Sequence, residues 1–146
     1  MSWLVDTCVL LDVIDGDSAF ANASAEFLDS YAPYGLEISP VTAVELAPAF
    51  LGDAERQDSF LREHGVCISH LWDSVAQQAA QSAWAAHIAA KRRGQARRRP
   101  VADILIGALA LRHEGLITRN VEDFRRHFPS LNVKVPSCFF HAIEAI

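Results

Sequence analysis

The chain has 146 residues, of which 51% are hydrophobic and 21% are charged, and its formal net charge is −5. This size and composition fit one globular domain over residues 1–146, and they exclude a membrane-spanning protein because no stretch is long and apolar enough to cross a bilayer. The start lacks a basic and apolar leader, and the three cysteines are widely spaced, so we expect a cytoplasmic protein without disulfides.

Apolar runs and helical periodicities alternate along the whole chain. The patterns predict strands at 3–5, 36–39, 66–68, 116–118 and 133–135. Between them they predict helices at 7–14, from Asp17 or Ser18 to 31, at 40–47, at 53–64, from 72 into the basic segment, at 100–113 and at 121–128. Parallel strands need crossover connections, which helices usually supply. We therefore predict a three-layer α/β/α sandwich with a central parallel sheet of four to five short strands.

Apolar spacing also predicts which helical residues face the core. Val44 belongs to the apolar set of the helix that starts at Pro40, and the spacing of Trp72, Val75 and Trp84 fits one amphipathic helix. Both tryptophans are therefore expected to be core residues rather than base-stacking groups.

Four acidic residues stand at predicted strand ends or in the helices that follow them. They are Asp6, Glu45, Asp103 and Asp123. Ligands bind at the carboxyl ends of strands in open α/β sheets, and an unpaired carboxylate in apolar surroundings is costly unless it pairs, takes a proton or binds metal. Oxygen ligands favour Mg²⁺ or Mn²⁺. Taken singly, Asp6 could instead cap a helix, Asp103 could complement a helix dipole and Asp123 could be a surface acid.

Four segments that contain these acids resemble, in order, the four motifs of PIN-domain proteins, and the similarity is strongest to VapC-type toxins. The segments are residues 4–12, 39–46, 100–108 and 116–124. The resemblance implies that Asp6, Glu45, Asp103 and Asp123 form a catalytic, metal-binding quartet, supported by the polar residues Thr7, Thr118 and Asn120. Family members place the fourth acid at either the Asn120 or the Asp123 position, so both stay open.

One position departs from the family pattern. Cys8 stands where the family usually has Ser, Asn or Thr. A thiol is a weaker hydrogen-bond partner, so weaker support for Asp6 is expected, with Thr7 able to compensate. The same residue argues against a haloacid-dehalogenase-like phosphatase, which would need an acid there.

The resemblance implies a metal-dependent endoribonuclease that uses Mg²⁺ or Mn²⁺ and leaves 5′-phosphate and 3′-hydroxyl ends. It further implies a VapB-type antitoxin partner and a homodimer. The alternative is a nucleic-acid-binding or regulatory module that keeps the PIN architecture and has little catalytic activity.

Six of the thirteen basic residues fall between positions 91 and 99. Arg92, Arg93, Arg97, Arg98 and Arg99 are predicted to contact the RNA backbone, because an acidic site would otherwise repel phosphates. The alternative is a solvated helix end with favourable charge. The segment contains no aromatic residue, so it predicts no sequence preference.

Overall fold

The computed structural model describes residues 1–92 and 100–136. Its strands are β1 (Trp3–Val5), β2 (Leu36–Ile38), β3 (Val66–Ile68), β4 (Gly115–Ile117) and β5 (Val133–Lys134). Its α-helices are α1 (Thr7–Asp15), α2 (Ala21–Tyr31), α3 (Pro40–Leu46), α4 (Ala54–Glu63), α5 (Ser74–Arg92), α6 (Val101–Ala110) and α7 (Val121–His127). Short 3-10 turns follow α2 and α3. None of the described helices has the length and apolarity needed to cross a membrane.

The five strands form one parallel sheet in the order β3-β2-β1-β4-β5. The central strand β1 is flanked by β2 and β4, with Trp3 opposite Leu36 on one side and Gly115 on the other. Helices cover both faces, which confirms the predicted α/β/α sandwich. The two central strands β1 and β4 are buried along their whole length and contain only apolar residues, as expected where helices cover both faces of a sheet.

Successive residues of a strand pack into two separate hydrophobic cores, one on each face of the sheet. Trp3 and Val5 pack with residues of α1 to α4, whereas Leu4 packs with residues of α5 to α7. This division follows from the two-residue period of a strand, which sends neighbouring side chains to opposite faces. The first four helices therefore cover one face and the last three cover the other.

The strand order reverses direction next to β1. From β1 the chain moves outward through β2 and β3, and it then returns to place β4 on the other side of β1. Loops that leave β1 and β4 diverge to opposite faces, and the crevice between them is where open α/β sheets bind ligands. Asp6 follows β1 and Thr118 follows β4, so both lie at this crevice.

Three residues of the apolar helical patterns are exposed to solvent, among them Trp72, which was expected in the core. Val44 is 74% exposed, Val75 is 52% exposed and Trp72 is 40% exposed. The helix α5 begins only at Ser74, so Trp72 precedes it and its indole N–H donates to Gln77 Oε1 at 3.1 Å. The apolar periodicity therefore predicts a start for this helix that is two residues earlier than the observed one.

Side-chain caps set the start of several helices. Ser39 accepts from the Val41 N–H at the start of α3, and Asp53 accepts from the Arg56 N–H at the start of α4. Asp17 accepts from the N–H groups of residues 19 and 20, which caps a turn, and α2 begins only at Ala21. At the other end of the chain, α6 stops at residue 110 rather than 113.

Candidate active site at the carboxyl ends of β1 and β4

Asp6 is a buried carboxylate at the centre of the crevice, only 4% exposed. As the N-cap of α1 it accepts through Oδ1 from the Thr7 N–H at 2.8 Å. Its Oδ2 accepts from the Thr118 hydroxyl at 2.7 Å and from the Cys8 thiol at 3.3 Å. Donors from both sides of the crevice therefore fix the carboxylate, and Asp6 is a helix cap as well as a candidate ligand.

Burial raises the pKa of Asp6 above its ordinary value, and the charge of Glu45 raises it further. The hydrogen bonds from Thr118, Cys8 and the Thr7 N–H act in the opposite direction. A carboxylate whose ionised form is disfavoured in this way gains from a nearby cation. The electrostatics of Asp6 therefore fit a metal ligand.

Cys8 supports Asp6 as a hydrogen-bond donor. Burial raises the pKa of the Cys8 thiol to about 12, and the charge of Asp6 adds to this effect. The sulfur therefore keeps its proton at neutral pH and donates it to the carboxylate. The weaker support expected from a thiol at this position is supplemented by Thr118 and Thr7.

Glu45 is the acid that the structure joins to Asp6. It is exposed on α3, and its Oε1 accepts from the Thr7 hydroxyl at 2.7 Å. Thr7 also shares a 3.0 Å hydrogen bond with the buried hydroxyl of Thr42. Thr7 therefore donates to Asp6 through its N–H group and to Glu45 through its hydroxyl. It links the carboxylate at the start of α1 to the carboxylate near the end of α3.

The other two acids occupy the first turns of later helices. Asp103 is half-buried on α6, and Asp123 is half-buried on α7 with its Oδ1 3.9 Å from Arg126 Nη1. Asn120 is exposed just before α7, and its N–H donates to the Thr118 hydroxyl at 3.0 Å. Its backbone therefore supports the hydroxyl that holds Asp6.

Within residues 1–92 and 100–136, no three His, Cys, Asp or Glu side chains are grouped closely enough to hold a metal ion. The pair of Asp6 and Glu45 fits a hard divalent cation, since both offer carboxylate oxygens and the buried one gains from positive charge. Asp103 and Asp123 do not complete a three-carboxylate group in this arrangement.

The basic segment that is predicted to bind RNA begins at the end of α5. Residues 93–99 and the side chain of Arg92 lie outside the described part of the chain. Lys91, next to the end of α5, is exposed. Contact between Arg92, Arg93, Arg97, Arg98 and Arg99 and RNA stays a prediction.

The sequence pattern missed an ion pair beside Asp6. Arg119 donates to Asp12 through Nε at 2.7 Å and through Nη2 at 2.8 Å, and this bonding raises the pKa of the guanidinium. One signal was available, because Asp12 is a single charge between Leu11 and Val13 in an apolar helix. A buried carboxylate of this kind requires a partner.

A buried histidine forms a second unpredicted network, on the α5–α6 side of the sheet. His113 Nδ1 lies 2.9 Å from the Ser2 hydroxyl and 3.7 Å from Glu37 Oε2, while Nε2 lies 2.9 Å from the Ser69 hydroxyl. Burial lowers the pKa of His113, and the charge of Glu37 opposes that shift. His113 therefore connects four chain segments as a neutral ring.

Residues 3–127 match the PIN domain family, and the chain belongs to that family. PIN domains are generally nucleases that use divalent metal ions. The predicted resemblance to PIN domains is thus confirmed over most of the chain.

Among solved structures, the fold is similar to VapBC2 from Rickettsia felis bound to a DNA fragment from its promoter. The TM-score is 0.67 with 16% sequence identity, and the alignment covers 94% of this chain and 100% of the other. At this identity the likeness concerns the fold. A search of curated proteins finds no match.

Proposed function

We propose that this protein is a metal-dependent endoribonuclease that hydrolyses RNA phosphodiester bonds and acts as the toxin of a toxin–antitoxin pair. The observation that carries the proposal is the buried carboxylate of Asp6, held from β1 and β4 at the topological switch point and coupled through Thr7 to Glu45. A PIN fold with this carboxylate pair fits phosphodiester hydrolysis better than a purely structural role.

We assign the roles of the acidic residues by the resemblance of the four motifs to those of PIN domains. Asp6 and Asp103 are the proposed direct metal ligands, with Glu45 and Asp123 completing the site. When bound, Mg²⁺ or Mn²⁺ supplies positive charge for the scissile phosphate and favours deprotonation of the attacking water. Thr7 and Thr118 keep two of these carboxylates in place, so the protein contributes mainly geometry and charge.

The partner proposed for this chain is a VapB-type antitoxin, together with a second copy of the chain in a homodimer. One solved structure with a similar fold is a VapBC2 complex, which supports the first of these proposals. Co-expression with the protein encoded by the neighbouring reading frame tests it. A stable complex is expected, and independent migration of the two proteins would contradict it.

A PIN-fold module that binds nucleic acid with little catalytic activity is the second candidate. It is favoured by one observation, namely that the described residues contain no group of three metal-ligating side chains. The two candidates differ in whether the protein cleaves RNA with turnover.

The test is an assay of purified protein on structured RNAs, with metal-free, Mg²⁺ and Mn²⁺ samples in parallel and matched DNA as a control substrate. Cleavage is expected only for RNA and only with metal, with 5′-phosphate at the new ends. Binding without cleavage in every metal would favour the module, and cleavage in the metal-free sample would contradict metal dependence.

A further inference from the structure

The ion pair between Asp12 and Arg119 joins three elements at the edge of the candidate site. The Asp12 side chain on α1 is 7% exposed, and the Arg119 side chain after β4 is 28% exposed. Two parallel N–H···O bonds of 2.7 and 2.8 Å connect them. The guanidinium also lies 4.1 Å from the centre of the Phe20 ring, just before α2, and Ser24 on α2 donates to Asp12 at 3.4 Å.

This pair spans the two segments that hold Asp6. Arg119 directly follows Thr118, whose hydroxyl donates to one oxygen of Asp6, and Asn120 supports that hydroxyl through its N–H. Asp12 lies on α1, whose first residue, Thr7, donates to the other oxygen. The loop after β4 and the helix after β1 are thus tied together just outside the carboxylate that both of them hold.

We propose that Asp12 and Arg119 form a positioning pair that fixes the loop after β4 against α1 and so sets the orientation of the Asp6 carboxylate. The inference rests on the proposed function, because it assigns the pair to that site. A bidentate guanidinium–carboxylate contact defines angle as well as distance, which a lysine ammonium cannot do. Small displacements of a catalytic group cost large factors in rate, so the geometry of this contact matters.

The test compares Arg119→Gln, Arg119→Lys, Asp12→Asn and the double variant Asp12→Asn/Arg119→Gln with the wild-type protein. Arg112→Gln is the matched control, because it removes an exposed Arg–Asp pair, Arg112 with Asp73, at the other end of β4. Four quantities are measured: kcat and KM for RNA cleavage, Mn²⁺ affinity without RNA, and amide hydrogen exchange at Asn120.

Removing the guanidinium should lower kcat about tenfold or more while KM stays within about twofold, and it should weaken Mn²⁺ binding by about tenfold. Exchange at the Asn120 amide should accelerate, and Arg119→Lys should not restore wild-type values. The double variant should lose no more kcat and Mn²⁺ affinity than the more impaired single variant, since the two residues act as a unit. The Arg112→Gln control should match the wild type.

Wild-type Mn²⁺ affinity and wild-type exchange in folded Arg119→Gln would overturn the proposal, whatever the activity. If the wild-type protein cleaves no RNA, the proposed function fails, and the exchange and affinity comparisons still decide the role of the pair. If Arg119→Gln unfolds, the double variant, which replaces the ion pair by two neutral amides, provides the same comparison.

Discussion

At the scale of single residues, the site combines burial with charge at Asp6. The carboxylate is almost completely removed from water, yet three donors favour its ionised form. Burial outweighs these donors, because the pKa of Asp6 is raised rather than lowered. The folded protein therefore holds an unfavourable charge at this position, and a cation would remove that cost.

The fourth acid of the site can be assigned by comparing two neighbouring variants. Asp123→Asn should lower cleavage more than Asn120→Ala, because only Asp123 offers a full negative charge to a cation. The Asn120 contact to Thr118 is made by its backbone N–H, which the alanine variant keeps. Cleavage by both variants across a Mn²⁺ titration measures the difference, and a larger loss for Asn120→Ala would move the site to position 120.

At the scale of elements, the strands and helices were largely predictable, whereas their contacts were not. Apolar runs and capping residues such as Ser39 and Asp53 are local signals, so they mark element limits in the sequence. The bond between Thr7 and Glu45 spans 38 positions, and the pair of Asp12 and Arg119 spans 107. No periodicity encodes such contacts, and strand order likewise depends on tertiary packing.

The packing of α6 against α7 depends on a glycine. A Cβ added to Gly107 would lie 2.5 Å from Cε2 of Phe128, which is closer than carbon atoms pack. Gly107→Ala should therefore destabilise the fold by about 1–3 kcal/mol through overpacking, although alanine normally stabilises a helix relative to glycine. Urea denaturation measures the free energy of unfolding.

The matched control for this effect is Gly107→Ala combined with Phe128→Leu. The smaller side chain should make room for the added methyl group, so the glycine replacement should cost less in that background. A single Gly107→Ala variant as stable as the wild type would contradict the close contact between α6 and Phe128, the residue that follows α7.

The basic segment between α5 and α6 in the sequence is predicted to bind RNA. Replacing Arg97, Arg98 and Arg99 by Gln should weaken RNA binding and flatten its salt dependence, because fewer counterions are released from the phosphates. Binding is measured in the Asp6→Asn background, so that the RNA remains intact. Arg56→Gln/Arg62→Gln, which removes two exposed positive charges on α4, is the control. An unchanged salt slope in the triple variant would exclude backbone contact.

At the scale of the whole molecule, stability should depend on the neutral state of two histidines, the buried His113 and the half-buried His127. The unfolded chain binds a proton at His113 near pH 6.5, whereas burial lowers the pKa of His113 in the folded protein. The unfolded state therefore binds more protons as the pH falls below about 6.5, and the free energy of unfolding decreases. His127 acts in the same direction, because burial and the nearby His87 lower its pKa.

This pH dependence is tested by measuring the free energy of unfolding between pH 7.5 and 5.5. His113→Gln should reduce the loss of stability on acidification, because glutamine takes up no proton when the chain unfolds. His70→Gln, at an exposed position, should keep the wild-type slope. Equal slopes for the wild type and His113→Gln would show that His113 does not control acid stability.

Mn²⁺-dependent RNA cleavage by the wild-type, Asp6→Asn and Asp103→Asn proteins tests most directly whether the carboxylates at the carboxyl ends of the strands form a metal-dependent active site. The neutral amide keeps the shape of each side chain and removes the charge that would hold the cation. We expect cleavage by the wild type, none by either variant, and a thermal midpoint for Asp6→Asn at or above that of the wild type. Full cleavage by either folded variant would contradict the claim.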